Sequence, residues 1–283
     1  PLRRRPAVSI KIYSLSFHLT FASTASLVVP AMMVLYVTAA VAILVYNYAA
    51  IPAAIATIVK SAFGMDAVAG GALGAMIAAM QKGVARGIFS NESGLGSAPI
   101  AAAAAQTKEP VRQGLVSMTG TFLDTIVICT MTGLTIVITG SDKVGLEGVD
   151  VTIRAFGQGL PWSETFGAIL LMICLAVFAF TTTLGWDYYG ERCLEYFTNK
   201  NMKAVKAYRY LYILAVLIGP FLTLEFVWTF ADIFNGLMAF PNLVGLLGLS
   251  GVVAAETRSY FKRLNAGEVD EGEKFRKKQK NVA

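Results

Sequence analysis

The sequence has little charge, almost no histidine and few cysteines, and each shortage excludes a class of function. Only 15% of the 283 residues are charged, against about 25% in an ordinary soluble domain. His18 is the single histidine, which leaves no basis for a metal centre or acid–base chemistry built on several histidines. The cysteines Cys129, Cys174 and Cys193 show no metal-ligand spacing and indicate no disulfide framework.

Catalytic and nucleotide-binding motifs are missing as well. The chain contains no G-x-x-x-x-G-K-[ST] sequence and no G-x-G-x-x-G after a strand. No Ser/His/Asp set and no H-E-x-x-H motif supports an enzyme. The net charge of +6 lies in short loops and in the C-terminal tail, as membrane topology requires. We therefore expect no enzymatic activity, no cofactor and no nucleic-acid partner.

Long apolar runs, by contrast, are abundant, since 55% of the residues are hydrophobic. A membrane span needs roughly 20 apolar residues to cross a hydrocarbon core about 30 Å thick. The stretch 67–107 is apolar too, but it is too long for one straight helix. We expect an all-α integral membrane protein, in contact with lipid, whose clear spans are 28–48, 115–139, 166–184 and 208–222.

Basic residues in the short flanks predict the orientation of the spans. The segment 187–209 holds five basic residues and the tail 258–283 holds eight, so both are expected inside the cell. The segment 141–164, read as a polar loop, holds four acidic and two basic residues and is expected outside.

This orientation limits the number of membrane crossings near the C-terminal end of the chain. Only one crossing fits between the span 208–222 and the inside tail. We therefore expect a half-helix near 227–240 and a crossing at 241–257, which makes about six crossings. The transporter domain would cover 28–257 and the basic cytoplasmic tail 258–283.

The segment 83–99, GVARGIFSNESGLGSAP, carries the most informative pattern. Charged residues and clustered glycines at membrane depth are costly unless they are buried in protein or face a water-filled cavity. The pattern predicts a broken helix whose second half begins with Ser97 as N-cap and Pro99 in the first turn. The alternative is a kinked helix packed through glycine, with Arg86 and Glu92 paired, and spacing alone does not separate the two.

The run 83–105 closely resembles the signature of the alanine or glycine:cation symporter family, also called the sodium:alanine symporters. The resemblance continues through FAFTTTLGWDYYGE at 178–191 and through ADIFNGLMAFPNLVGLLGLSGVVAAE at 231–256. It covers about 28–262, and residues 1–27 are interpreted as an atypical, artefactual stretch. The resemblance implies a leucine-transporter-type inverted-repeat fold, present here as a C-terminal fragment: the last helix of repeat one plus repeat two.

A second polar pattern lies at 181–183, where three threonines follow one another. Phe178, Thr181 and Thr182 stand at i, i+3 and i+4, which places a backbone carbonyl and two hydroxyls on one helix face. Sodium needs such hard oxygen ligands. The pattern alone favours threonines that bond their own i−4 carbonyls, whereas the resemblance assigns these three residues to a sodium site.

The resemblance also implies the substrate site. Phe89 and Ser90 of the broken helix would contact a small amino acid, with Thr182 and Trp186 opposite. A small apolar pocket discriminates one methylene by about 1–3 kcal/mol. The alternative is that the two aromatic residues only pack. Gate or support roles are assigned to Arg86, Asn91, Glu92 and Asp124, the last because an intramembrane acid is a functional candidate by default.

These patterns predict sodium-coupled symport of alanine or glycine into the cell, across a bacterial inner membrane. Proton coupling and a non-transporting fragment of such a carrier are the alternatives. A channel should show charge rings or a carbonyl filter, and neither is evident in the sequence.

Overall fold

The computed structural model describes residues 28–63, 72–161 and 163–268, and within these ranges every regular element is helical. The interpretation of residues 1–27 and the distal tail from residue 269 lie outside the described residues. The helices are α1 Val28–Tyr46, α2 Ile51–Ala62, α3 Ala72–Asn91, α4 Ala98–Ala102, α5 Pro110–Thr121, α6 Thr130–Ile138, α7 Val149–Gly159, α8 Glu164–Phe197, α9 Met202–Ile218 and α10 Leu224–Asn265.

Five stretches of the described residues are long and apolar enough to cross a membrane. They cover nearly all of each of the four clear spans expected from the sequence, and they are Val28–Tyr46, Pro110–Ile138, Glu164–Phe197, Met202–Phe221 and Leu224–Asn265. The second joins α5 to α6 through a π-helical stretch, Phe122–Cys129. The broken helix, which would supply the sixth crossing, is not among the five, so six crossings stay a prediction.

The expected half-helix near 227–240 is wrong as a separate element. Helix α10 runs without interruption for 42 residues, with Pro241 inside it. A membrane helix tolerates a proline because neighbouring groups and local adjustments satisfy the freed backbone carbonyl. At 1.5 Å per residue α10 is about 63 Å long, which is long enough for the single crossing that the charge distribution predicts. Its last turns, 258–265, are the first part of the predicted basic tail.

The segment 141–162 is likewise more than a polar loop. It contains the eleven-residue helix α7, in which apolar and polar residues alternate at short intervals. Ala155 and Phe156 of α7 are fully buried. An amphipathic helix of this kind buries one stripe and exposes the other, so its composition resembled that of a loop.

By contact, the described residues divide into two compact units: those up to Lys82 together with those of 127–224, and those of 83–126 together with those from Glu225 onward. The first unit holds the apolar core. There α7 fills the space between α1 and α8, with Tyr36 and Phe156 rings 5.2 Å apart. The fully buried or nearly buried members of this cluster are Ala39, Ala40, Ile43, Phe156, Leu160 and Leu171.

Within the first unit, α8 and α9 are joined by polar contacts as well as by packing. Glu191 of α8 is fully buried, and the Arg209 guanidinium on α9 bonds both of its carboxylate oxygens, one of them at 2.9 Å. The Tyr212 hydroxyl donates to the Thr183 carbonyl at 2.7 Å. A buried carboxylate needs a partner of this kind, so the pair fixes the register of the two helices.

Replacing Gly167 with alanine should lower the thermal stability of the protein. Gly167 lies in the first turn of α8 and packs against α7, and a Cβ there would overlap the carbonyl oxygen of Phe156, which is backbone and cannot move aside. Overpacking of this kind costs about 1–3 kcal/mol. The matched control is Gly185→Ala on the same helix, where no atom lies within 4 Å. A melting curve in detergent should place Gly167→Ala below wild type and Gly185→Ala at or above it; equal melting temperatures would contradict the α7–α8 packing.

Candidate functional site

The predicted break in the helix is present and lies in the second unit. Helix α3 ends at Asn91, and α4 begins at Ala98. Between them Glu92, Gly94 and Gly96 take positive φ values of 53°, 87° and 82°. Such values suit glycine and rarely other residues, so the backbone leaves the helical path here and not at Gly83 or Gly87, which stay inside α3.

Ser97 occupies the N-cap position of α4, as predicted, with a proline in the first turn. Its hydroxyl, however, makes no capping hydrogen bond. The residue is 1% exposed, and its hydroxyl oxygen has no hydrogen-bond partner. The local sequence thus determines where α4 begins without the side-chain bond that usually accompanies it.

Arg86 lies in α3, five residues before the helix ends at Asn91, and pairs with a residue outside the predicted site. Its guanidinium donates to both carboxylate oxygens of Asp232 on α10, at 3.2 and 2.9 Å. It also lies over the ring of Trp228, 3.8 Å from the centroid. The pairing with Glu92 that was weighed as an alternative does not occur. A bidentate, stacked guanidinium has its orientation fixed by three contacts.

Phe89 belongs to the same cluster. Its ring meets the Trp228 ring edge to face, with centroids 5.5 Å apart. The predicted substrate-contacting ring is therefore coupled through Trp228 to the Arg86–Asp232 pair. Asp232 could have been found by the rule that an acid within a span is a functional candidate; Trp228 carried no comparable signal.

Two further contacts join the end of α3 to the π-helical stretch after α5. The Ser90 hydroxyl donates to Asp124 at 2.5 Å. The Thr125 hydroxyl donates to the Asn91 side-chain oxygen, also at 2.5 Å. The structure thus brings together three predicted site residues, Ser90, Asn91 and Asp124, and adds Thr125. A π-helical stretch turns side chains out of the regular α-helical spacing and is frequent at functional sites.

The other predicted residues lie in the first unit, on α8. The Thr181 hydroxyl donates to the carbonyls of Val177 and Phe178, at 3.1 and 3.0 Å. Thr182 is exposed, and Trp186 packs edge to face on Tyr189. The bond to the i−4 carbonyl is the one that the pattern alone favoured. It uses the hydroxyl proton and leaves lone pairs on the oxygen, so it is compatible with a cation ligand.

A second bidentate ion pair of the second unit lies at the C-terminal end of α10. The guanidinium of Arg263 donates to both carboxylate oxygens of Glu109, each at 2.8 Å. These hydrogen bonds hold the pKa of Glu109 below its usual range. The residue before α5 is thereby linked to the last turn of α10.

Comparison with known proteins gives the family. The sodium:alanine symporter family matches residues 18–275, so the match begins inside the stretch 1–27 that the sequence analysis set apart. An uncharacterized transporter of Haemophilus influenzae is 55% identical over 254 residues, which are 89% of this chain and 55% of that protein.

Two other relatives carry more specific names. The sodium/alanine symporter AgcS of Methanococcus maripaludis is 47% identical over 83% of this chain and 51% of its own length. The probable sodium/glutamine symporter GlnT of Bacillus subtilis is 40% identical over 87% of this chain and 50% of its own. The chain spans about half the length of these curated relatives. The chain belongs to the sodium:alanine symporter family, a family of membrane transporters, and the five apolar helices that the structure describes fit a multi-pass membrane protein.

Proposed function

We propose that the protein to which this chain belongs imports a small neutral amino acid, alanine or glycine, by symport with sodium across a bacterial cell membrane. The observation that carries the proposal is the break at 92–97, with polar side chains placed at the end of α3 beside it. Unwinding frees backbone N–H and C=O groups at membrane depth, and a zwitterionic amino acid needs partners for both of its ends. The names of the relatives support sodium coupling but differ in the amino acid.

For the substrate, we assign Phe89 and Ser90 on the broken helix, and Thr182 and Trp186 on α8. The contact of Phe89 with Trp228 supports this assignment, because it holds one wall of the pocket in a fixed position. A rigid aromatic wall suits a methyl group and excludes longer side chains. Competition of labelled alanine uptake by unlabelled glycine and glutamine would rank the substrates, and stronger competition by glutamine would contradict a small pocket.

Gate or support roles fit the residues around the break. Arg86 and its bidentate partner Asp232 can hold α3 to α10 in one state and release it in another, as alternating access requires. Asn91 and Asp124 position the end of α3 through their hydroxyl partners. The fold we propose is the leucine-transporter type, with the last helix of one repeat and the whole of the next.

Proton coupling is the second candidate, and Asp124 favours it. This carboxylate lies within a span and bonds a serine hydroxyl, and intramembrane acids serve as proton relays in many carriers. Uptake measured under a sodium gradient at equal pH, and under a pH gradient without sodium, separates the two. Accumulation in the second condition alone would replace sodium with the proton.

Replacing the candidate ligands on α8 should weaken sodium coupling. Thr181→Val and Thr182→Val remove a hydroxyl and keep the side-chain shape, so each should raise the sodium concentration for half-maximal uptake about tenfold, the lower end of the loss seen when a metal site is perturbed. The control is Thr183→Val, because the Thr183 hydroxyl bonds the Ala179 carbonyl at 2.8 Å and is not a proposed ligand. Unchanged sodium dependence in both test variants would mean that their hydroxyls serve the helix alone.

A further inference from the structure

The buried hydroxyl of Ser97 is a polar group that the proposed site does not use. Its residue is 1% exposed and its oxygen has no hydrogen-bond partner. Buried hydroxyls without partners are uncommon, because each has lost its water without a replacement. An unpartnered oxygen in this position marks either a missing ligand or an ordered water.

The loop that carries Ser97 packs against α10 within the second unit. Gly96 lies so close to Asn242 that a Cβ would come within 3.2 Å of the Asn242 carboxamide oxygen, and Gly94 faces Leu243. The Asn242 oxygen is thereby held against the residue that precedes Ser97. Both belong to unit 2, where the loop and this part of α10 are in direct contact.

The contact also joins two places where helical backbone hydrogen bonding is interrupted. Pro241 precedes Asn242 inside α10 and has no N–H, so the carbonyl of Leu237, four residues earlier, lacks its helical donor. On the other side, the loop 92–97 leaves helical geometry at three positive-φ residues. Carbonyl groups released in this way at membrane depth are the groups that bind cations in transporters.

The loop 92–97 carries one carboxylate, Glu92, and no basic residue. Glu92 lies in the loop, and the ion pairs of the described residues join other acids to arginine: Asp232 to Arg86 and Glu109 to Arg263. No ion pair in the described part of the chain includes Glu92. A carboxylate without a counter-charge at membrane depth is costly, and a bound cation would offset that cost.

We infer that the loop 92–97 and the Pro241–Asn242 step of α10 form a second sodium site, with the Ser97 hydroxyl and the Asn242 carboxamide oxygen as ligands. The carbonyls released at the two breaks complete the oxygen shell, and Glu92 supplies the charge. This inference rests on the proposed sodium coupling but uses none of the α8 residues. Among the described residues no group of three or more His, Cys, Asp or Glu side chains could hold a metal ion. A single carboxylate with neutral oxygens suits a monovalent ion more than a divalent one.

Sodium-dependent stabilisation of the purified full chain in detergent tests the site. A ligand that binds only the folded state raises the melting temperature with its concentration. We expect sodium chloride, added at constant ionic strength against choline chloride, to raise the melting temperature of the chain. Ser97→Ala and Asn242→Ala should each weaken the apparent sodium affinity about tenfold or more. Asn242→Asp keeps an oxygen in place and should retain the response.

The control variant is Ser250→Ala, also on α10, since the Ser250 hydroxyl bonds the carbonyl of Leu247 at 2.7 Å. It should respond to sodium like the wild type. A response unchanged in both Ser97→Ala and Asn242→Ala, or the absence of any sodium response in the wild type, would overturn the inference. So would an equal rise in melting temperature with potassium chloride. A rise with alanine in choline chloride, together with no rise with sodium chloride, would overturn it too. Sodium-driven uptake that survives both variants would leave the proposed function intact while removing this site.

Discussion

Replacing Asp232 with asparagine should lower the initial rate of sodium-driven amino-acid uptake about tenfold or more. The Asp232 carboxylate accepts two hydrogen bonds from Arg86, and asparagine keeps the shape but can accept only with one oxygen and carries no charge. The Arg86 guanidinium would then remain stacked on Trp228 without a counter-charge. An exposed ion pair contributes about 0–1 kcal/mol, and breaking a buried one costs about 3–5 kcal/mol.

The Arg86–Asp232 pair lies between these limits, because its side chains are 34% and 42% exposed. A loss of about 1.4 kcal/mol corresponds to a tenfold change in rate. This energy lies between the cost of losing an exposed ion pair and the cost of breaking a buried one. The control is Glu225→Gln in the first turn of α10, the same carboxylate-to-amide change at an exposed residue. It should leave uptake near the wild-type rate.

The partner variants separate a specific pair from a general need for charge. Arg86→Lys keeps the charge but cannot bond the carboxylate as a fork or stack on Trp228 in the same way, so it should also lose most uptake. The double variant Arg86→Gln with Asp232→Asn should be no worse than the poorer single variant, because the two residues act as one unit. Losses that add in full would show that the two residues act independently.

The apolar runs predicted the spans well, because span length is set by the bilayer and is visible in any window of the sequence. For helix α10 the apolar pattern did not predict the bounds of the element. The inside placement of the tail allowed only one crossing after residue 222 and suggested a half-helix near 227–240, yet the helix continues through Pro241. Whether a proline divides a membrane helix depends on which neighbouring groups meet the freed carbonyl, and those groups come from other parts of the chain.

The break at 92–97 was predictable in kind because glycine and charged residues rarely share a membrane helix. The start of the second half at Ser97 was predicted too, but the end of the first half was not, since Gly83, Gly87, Gly94 and Gly96 look alike in the sequence. The partner of Arg86 was also beyond local reasoning. Asp232 stands 146 residues away, and the acid nearest in sequence, Glu92, was the natural but wrong alternative. Local patterns therefore indicated which residues carry chemistry, and the tertiary fold decided which of them meet.

Alanine substitutions at different glycines of the segment 83–99 should have opposite effects on the stability of the protein. Gly96→Ala should destabilise the protein, because its φ of +82° costs an L-residue about 1–2 kcal/mol. The new Cβ would also lie 3.2 Å from the Asn242 oxygen, which is tighter than ordinary contact. Uptake should fall with stability, since the loop carries the freed backbone groups proposed for the substrate and the ion.

Gly87→Ala is the matched control, nine residues earlier in the same motif. Gly87 is helical, with no atom within 4 Å of an added Cβ, and alanine favours a helix over glycine by about 1 kcal/mol. The two variants should therefore move the melting temperature in opposite directions. If Gly87→Ala proves the more damaging, the motif acts through close packing of a continuous helix, and the break at 92–97 is not what the glycines serve. If both variants keep wild-type stability and lose uptake, the glycines matter for the motion between transport states and not for either structure alone.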